Sequence, residues 1–352
     1  MFSDLLYTGS CAYVISPPIT KFIDVQDKNL ENTIGKIFIN NRNAFFDEYN
    51  MYKLIIKNID PTNEFTLKLI QHNAYKLKKY HLKQINNDIY NDLKNNKKLI
   101  TDNLDIYEMI IEKGEQTLYD FLNLKLCSIE IFKPLFLNIL LGIKKLHDNN
   151  FLHLDIKETN ILLLKNKLYL IDFGISTSLY DLYDLNKISL FNQMYIYYPF
   201  ETMIVNYIYI NLYSQLNVLY SINDIITFIK ENKYNIIEIY IDKYYNYLNN
   251  YLHPYTINKD IIIEQVKTFF KYIINKKYLN IDLKQELIKC IISIFQLYGK
   301  KIDIFSIGIM LYRISKFIIN NNQLLDIIPL LINFNPDERL DIDQFIEYFN
   351  KL

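Results

Sequence analysis

The chain has 352 residues, with 39 Lys and Arg against 39 Asp and Glu, so no overall basic field exists to hold nucleic acid or an anionic membrane surface. Half of it is apolar, enough for one large domain or two moderate lobes. No stretch reaches the roughly 18 uninterrupted apolar residues of a membrane span, no basic segment followed by an apolar core opens it, and Cys11, Cys127 and Cys290 are too few and too scattered for a disulfide framework or a zinc site. The expected setting is cytoplasmic, with neither membrane nor nucleic acid as partner.

In chain order, Asp4 to Val14 and Ile34 to Ile39 are predicted as strands, Arg42 to Lys57 as a helix, and Phe65 to Ile70 and Ile106 to Ile111 as further strands. Between them, the polar stretch Lys83 to Asn103, with its Asn-Asn and Lys-Lys pairs, is read as a solvated loop or insertion. The spacing of Leu135, Ile139, Leu140, Ile143 and Leu146 predicts a helix over Lys133 to Asp148. A strand pair, Ile161 to Leu164 and Leu168 to Ile171, follows, and beyond Phe200 the periodic segments are long and mainly helical. Asn, Ile, Lys and Tyr abound, whereas there are 7 Gly, three Ala, three Arg and no Trp, the pattern of AT-rich codons. Scarce types then carry information: an Arg retained where Lys is preferred marks a need for a planar donor. Gly174 and Arg339 stand out on that ground, while Arg42 and Arg313 receive no role.

Chemistry concentrates in His153-Leu154-Asp155-Ile156-Lys157-Glu158-Thr159-Asn160 and in Asp172-Phe173-Gly174, with 17 positions from Asp155 to Asp172. Moving a γ-phosphoryl group needs a carboxylate to orient and accept the hydroxyl proton, a cation near the phosphate and oxygen ligands for Mg²⁺. Asp155 supplies the base, Lys157 the cation, and Asn160 with Asp172 the metal ligands. Two motifs of this type, order and spacing rarely coincide by chance.

On these residues the chain resembles the eukaryotic-type protein kinases, and Lys157, two positions after Asp155, is similar to the Ser/Thr-directed subgroup. The resemblance covers most of residues 5–350. It implies an α+β, two-lobed fold: a small β-rich N-lobe over 1–114, with a polar insertion at about 83–103, and a large helical C-lobe over 115–352. It also implies ATP and Mg²⁺ as cofactors and a protein as substrate. His153 and Phe173 become framework positions. Tyr7-Thr8-Gly9-Ser10-Cys11-Ala12-Tyr13-Val14 resembles the phosphate-covering loop, with only its middle glycine, Gly9, kept, Ala12 at the third and Val14 at the following Val. Lys36 matches the lysine of the third strand and Glu48 its ion-pair partner, with Glu31 and Asp47 as competitors. Tyr107 to Gly114 resembles the strand and hinge that hold adenine, with Ile111 the gatekeeper and Glu112 to Gly114 the hinge, and the resemblance counts Leu162 among the nucleotide-binding residues. Pro199-Phe200-Glu201, Lys301 to Gly308 and Asn335 to Leu340 resemble three late elements, in which Asp303 secures the catalytic loop and Arg339 makes a two-pronged pair with Glu201.

Two departures matter. Leu154 replaces the Arg that binds an activation-loop phosphate in common members, which predicts an enzyme either constitutively competent or switched by a partner, with no need of modification at Thr177, Ser178 or Ser189. Glu201 and Asp303 are 102 positions apart (303 − 201), which implies a helical insertion at about 207–295, carrying patterns such as Ile222 to Ile229 and Ile261 to Ile273, and offers a place for a regulatory partner. The usual substrate-side helices after Asp303 look trimmed over Lys316 to Leu331. Composition and the altered loops resemble Ser/Thr kinases of large cytoplasmic DNA viruses, which implies host cytoplasm or virion. The expected function is ATP-dependent transfer to Ser or Thr of proteins; the alternative is a nucleotide-binding pseudokinase scaffold, favoured by Tyr7, Ala12 and Leu154. A small-molecule phosphotransferase comes third.

Overall fold

The computed structural model describes residues 3–9, 11–23, 30, 32–96, 101–124, 126–179, 195–199, 201–202, 242, 245–246, 250, 260, 283–333 and 335–352, with only the helical backbone of 283–291 and 294. Phe200, Glu31, Ser189, both helical patterns cited for the insertion and nearly all of 207–282 lie outside the described residues. The chain divides into two compact units, Met1–Leu118 with Ile161–Gly174, and Tyr119–Asn160 with Ile175–Leu352.

The first unit is built on a five-stranded antiparallel sheet of order β1-β2-β3-β5-β4, formed by β1 (Asp4–Thr8), β2 (Tyr13–Ser16), β3 (Thr33–Ile39), β4 (Leu69–Lys78) and β5 (Asn103–Glu112). Between β2 and β3 lies the short α1 (Thr20–Ile23). Helix α2 (Arg42–Asn58) starts where Asn41 caps the Ala44 amide, and its buried positions Phe45, Glu48, Tyr49, Tyr52 and Ile55 recur at helical spacing. Phe45 lies edge-on to Phe38 of β3, with ring centres 5.7 Å apart.

The polar stretch expected as a solvated loop is instead structured. Helices α3 (Lys79–Ile85) and α4 (Asn87–Asn95) occupy most of it, and β5 begins at Asn103. Leu82, Ile85, Ile89 and Leu93 recur at three- and four-residue steps and are buried with Ile15, Ile19, Ile37, Leu104 and Ile106 on one face of the sheet. Asn86, one of the residues that made the stretch read as low complexity, caps α4 by accepting from Ile89 N at 2.9 Å and donates to Ser3 O at 2.7 Å. The strand expected over Phe65 to Ile70 starts only at Leu69. Glu64, Phe65 and Thr66, ahead of it, are held by Asp60, whose buried carboxylate accepts from their three amides and from the Thr66 hydroxyl.

A second, three-stranded sheet joins β6 (Gln116–Thr117), β9 (Ile161–Leu164) and β10 (Lys167–Leu170). This pairing places 161–174 in the first unit, and Leu170 N donates to Phe65 O at 2.7 Å.

The second unit holds α5 (Leu118–Leu124), β7 (Cys127–Ser128), α6 (Ile129–Asp148), β8 (Phe151–Leu152), β11 (Thr177–Ser178), α7 (Leu283–Ser315), β12 (Ile318–Ile319), α8 (Asn322–Leu331) and α9 (Ile342–Asn350). Phe132, Phe136, Phe345 and Phe349 pack α6 on α9 in a fully buried aromatic cluster. Helix α7 is 33 residues long, so positions 283–295, assigned to the insertion from sequence, are continuous with the helix that carries Asp303.

Candidate active site

In the first unit the strand register sets Lys36 opposite Val14 on β2 and Met109 on β5, so these three share one face of the sheet. Helix α2 delivers Glu48 to the same face. Lys36 Nζ lies 2.6 Å from Glu48 Oε1 and 3.0 Å from Asp172 Oδ1, while the competitor Asp47 points to solvent. Burial alone would lower the Lys36 pKa, but Glu48 and Asp172 outweigh it and hold the ammonium above its ordinary range. Burial pushes the Glu48 carboxyl up and Lys36 opposes it; at 2.6 Å the attraction of the ammonium decides for the ionised pair. Asp172 follows β10 in a left-handed conformation, φ +67°, which a non-glycine residue adopts at some expense in backbone energy. Phe173 is buried edge-on against Tyr52 of α2, at 5.3 Å, and the Tyr52 hydroxyl donates to Leu67 O at 2.7 Å.

The other positions expected from the sequence to bind nucleotide occupy two further places in this unit. Gly9 N donates to Ala12 O at 2.8 Å and closes the turn between β1 and β2. Gly114 packs on Leu162 so closely that a Cβ there would come within 2.8 Å of Leu162 Cδ1, and Glu112 ends β5 beside it.

In the second unit the loop from His153 to Asn160 is organised by Asp303 on α7. Its carboxylate is fully buried and accepts from His153 N at 2.9 Å and Leu154 N at 2.8 Å, with His147 Nε2 at 3.0 Å. His153 is buried, with its Nδ1 accepting from Asp155 N at 3.2 Å, and Leu154 is buried with φ +64°. Lys157 Nζ bonds both Asp155 oxygens, at 2.8 and 3.0 Å, and Asn160 Nδ2 donates to Asp155 O at 2.9 Å and Oδ2 at 2.7 Å. One carboxylate is thus oriented by a cation and an amide within six residues of chain.

Sequence reasoning missed the supports of this loop. Glu158 is buried, accepting from Arg313 Nε at 2.9 Å and from the Tyr197 hydroxyl. Tyr195 lies over Lys157, whose Nζ is 5.8 Å from the ring centre. Scarcity of Arg was the available signal for Arg313; the Tyr-rich background hid Tyr195 and Tyr197. Arg339 makes the expected two-pronged contact, Nη1 to Glu201 Oε1 at 2.7 Å and Nη2 to Oε2 at 3.2 Å, over the Phe305 ring. Thr177 and Ser178 are buried and paired with β8.

Among the described residues no group of three or more His, Cys, Asp or Glu forms a metal cage. The oxygen donors still suit Mg²⁺, which is held by one or two carboxylates plus phosphates. The Asp172 side chain is 37% exposed despite its ion pair, and Asn160 bonds through Nδ2, leaving Oδ1 with no hydrogen bond among the described residues.

Residues 55–196, less than half of the chain, match the family model of the protein kinase domain. A stretch of 71 residues is 35% identical to a protein of Acanthamoeba polyphaga mimivirus named as a serine/threonine-protein kinase, spanning 20% of this chain and 13% of that protein. The chain is similar to protein kinases, and divergent. The matched span holds Asp155, Lys157, Asn160 and Asp172 of this kinase-like chain; Lys36, Glu48, Glu201 and Arg339 lie outside it and rest on geometry. No helix among the described residues is long and apolar enough to cross a membrane.

Proposed function

We propose that this protein is an ATP-dependent kinase that transfers the γ-phosphoryl group to Ser or Thr of protein substrates. The observation that carries the reading is the held carboxylate of Asp155, bonded by Lys157 and Asn160 in the loop whose amides Asp303 fixes. Asp155 orients the acceptor hydroxyl and takes its proton, and Lys157 places positive charge beside the transferring group. Lys36, kept charged by Glu48, would steady the nucleotide phosphates, and Asp172 and Asn160, one in each unit, are each assigned as an oxygen ligand for Mg²⁺. Mg·ATP, when bound, supplies the phosphoryl group and the charge neutralisation; the chain's contribution is positioning.

Buried Thr177 and Ser178, and a buried aliphatic Leu154 in place of a phosphate-binding Arg, support activity without phosphorylation of that segment. The second reading, a nucleotide-binding scaffold without turnover, is favoured by Tyr7, which is large and exposed where the phosphate-covering loop of the resembling family has glycine. Incubation with Mg·ATP and generic acidic and basic proteins separates them. Phosphoserine or phosphothreonine in the products supports the enzyme; nucleotide binding with no transfer to any protein supports the scaffold. A regulatory partner at 207–295 and a cytoplasmic or virion location belong to the same proposal.

A further inference from the structure

We infer that Arg313 is a specificity-determining residue that reads an anionic side chain, carboxylate or phosphate, near the acceptor residue of the substrate; this rests on the phosphoryl-transfer reading above. Glu158 directly follows Lys157 in the catalytic loop, and both of its oxygens are used, Oε1 by Arg313 Nε at 2.9 Å and Oε2 by the Tyr197 hydroxyl. The pair is lopsided: the Glu158 side chain is 4% exposed and that of Arg313 is 39% exposed. Solvent, and anything docking there, therefore meets the guanidinium and not the carboxylate.

Arg313 spends only its Nε on that contact. Its plane lies over Tyr197, 5.8 Å from the ring centre, and its two terminal nitrogens make no hydrogen bond among the described residues. Four N–H groups are left in the flat, forked arrangement that matches a carboxylate or a phosphate through two parallel bonds. A tie to Glu158 alone needs one N–H, which Lys supplies as well; keeping one of three arginines at this position fits a use for the fork.

The location suits the role. The Tyr195 ring packs on Tyr197 at 5.1 Å and lies over Lys157, which is bonded to Asp155. Two aromatic rings thus separate the Arg313 fork from the residues proposed to handle the acceptor hydroxyl, a span that a short peptide covers within a few residues. Lys157 is committed to Asp155, so Arg313 is the cation of this cluster with donors to spare.

The test uses the full-length protein, Mg·ATP and synthetic peptides with one Ser acceptor flanked by Asp, Glu, phosphoserine, Gln or Lys, read as kcat/KM. Wild type is expected to favour anionic over Gln-flanked peptides by about tenfold, the discrimination that a hydrogen bond to a charged group supplies. Arg313→Gln should bring that ratio close to one, and Arg313→Glu should turn the preference towards Lys. Ratios within one variant cancel any loss of folded protein caused by leaving Glu158 without its partner, and Arg313→Lys, which keeps charge without the fork, should retain part of the preference. The phosphoserine and Asp or Glu arms tell a phosphate reader from a carboxylate reader. A wild-type ratio at or below one, or a ratio unchanged in Arg313→Gln, overturns the inference while leaving the kinase reading intact. No transfer to any peptide or protein overturns both.

Discussion

Glu48 on α2 holds the Lys36 ammonium of β3 at 2.6 Å, and the same ammonium reaches Asp172 at 3.0 Å. One cation thereby ties a strand, a helix and the turn after β10. Residues acting as a unit lose most of their effect at the first substitution. Lys36→Met and Glu48→Gln should each lower phosphoryl transfer by about 100-fold or more, the scale for removing a preorganised charge. The double variant should be no worse than the poorer single one. Independent, multiplying losses in kcat/KM would show that the two side chains do not act through each other.

Gly35 exists for Glu108. A Cβ at position 35 would lie 2.3 Å from Glu108 Oε1, and that buried carboxyl accepts from Ile19 N, Thr20 N and the Thr20 hydroxyl. Gly35→Ala should destabilise by about 1–3 kcal/mol, as overpacking does. Burial pushes the Glu108 carboxyl up despite these donors. Since its folded value lies above its unfolded one, its contribution to stability is complete below the ordinary value of 4.5 and is lost as pH rises through the folded value. The stability of wild type relative to Glu108→Gln, from urea midpoints, should therefore fall as pH is raised from 4.5; a constant difference contradicts the assignment.

Ile89 sits in the polar stretch but is completely buried. Ile89→Ala should cost about 2–5 kcal/mol in chemical denaturation, the range for a buried aliphatic truncation. A change within about 0.5 kcal/mol, the usual effect at a solvated position, would contradict the packed-helix description.

Arg339 is wholly buried between Glu201 and Phe305. Arg339→Lys keeps the charge but loses the fork and leaves donors and acceptors mismatched, so about 3 kcal/mol of stability should be lost, close to the effect of breaking a buried pair. A calorimetric melt matching wild type would show that the fork is dispensable.

The loop from His153 to Asn160 and Asp172 were legible because the proposed chemistry needs particular residue types at fixed spacing, and the Glu201–Arg339 pair because a buried two-pronged contact needs Arg. Helices α3 and α4 were not: Asn and Lys supply their exposed faces, and this chain uses those residues so widely that they mask the apolar spacing of Leu82, Ile85, Ile89 and Leu93. Strand β4 was placed too early because Phe65 and Leu67 are buried as a loop, the first held by Asp60 and the second by the Tyr52 hydroxyl, and not as a strand. Arg313, Glu158 and Tyr197 escaped notice because their contacts span 39 to 155 positions, beyond any local pattern. Gly174, singled out for its rarity, has no positive φ, and a Cβ there would meet only ordinary contacts, the nearest with Glu48 Oε2 at 3.4 Å. Rarity in composition pointed correctly to Arg339 and said nothing structural about Gly174.

The most direct measurement is transfer of labelled γ-phosphate from Mg·ATP to a Ser- or Thr-containing protein by wild type and by Asp155→Asn, prepared without prior phosphorylation. The account predicts transfer by wild type that falls by about 100-fold or more in Asp155→Asn, with nucleotide binding and the melting temperature little changed. Equal transfer by both proteins, or nucleotide binding with no transfer by either, would contradict it.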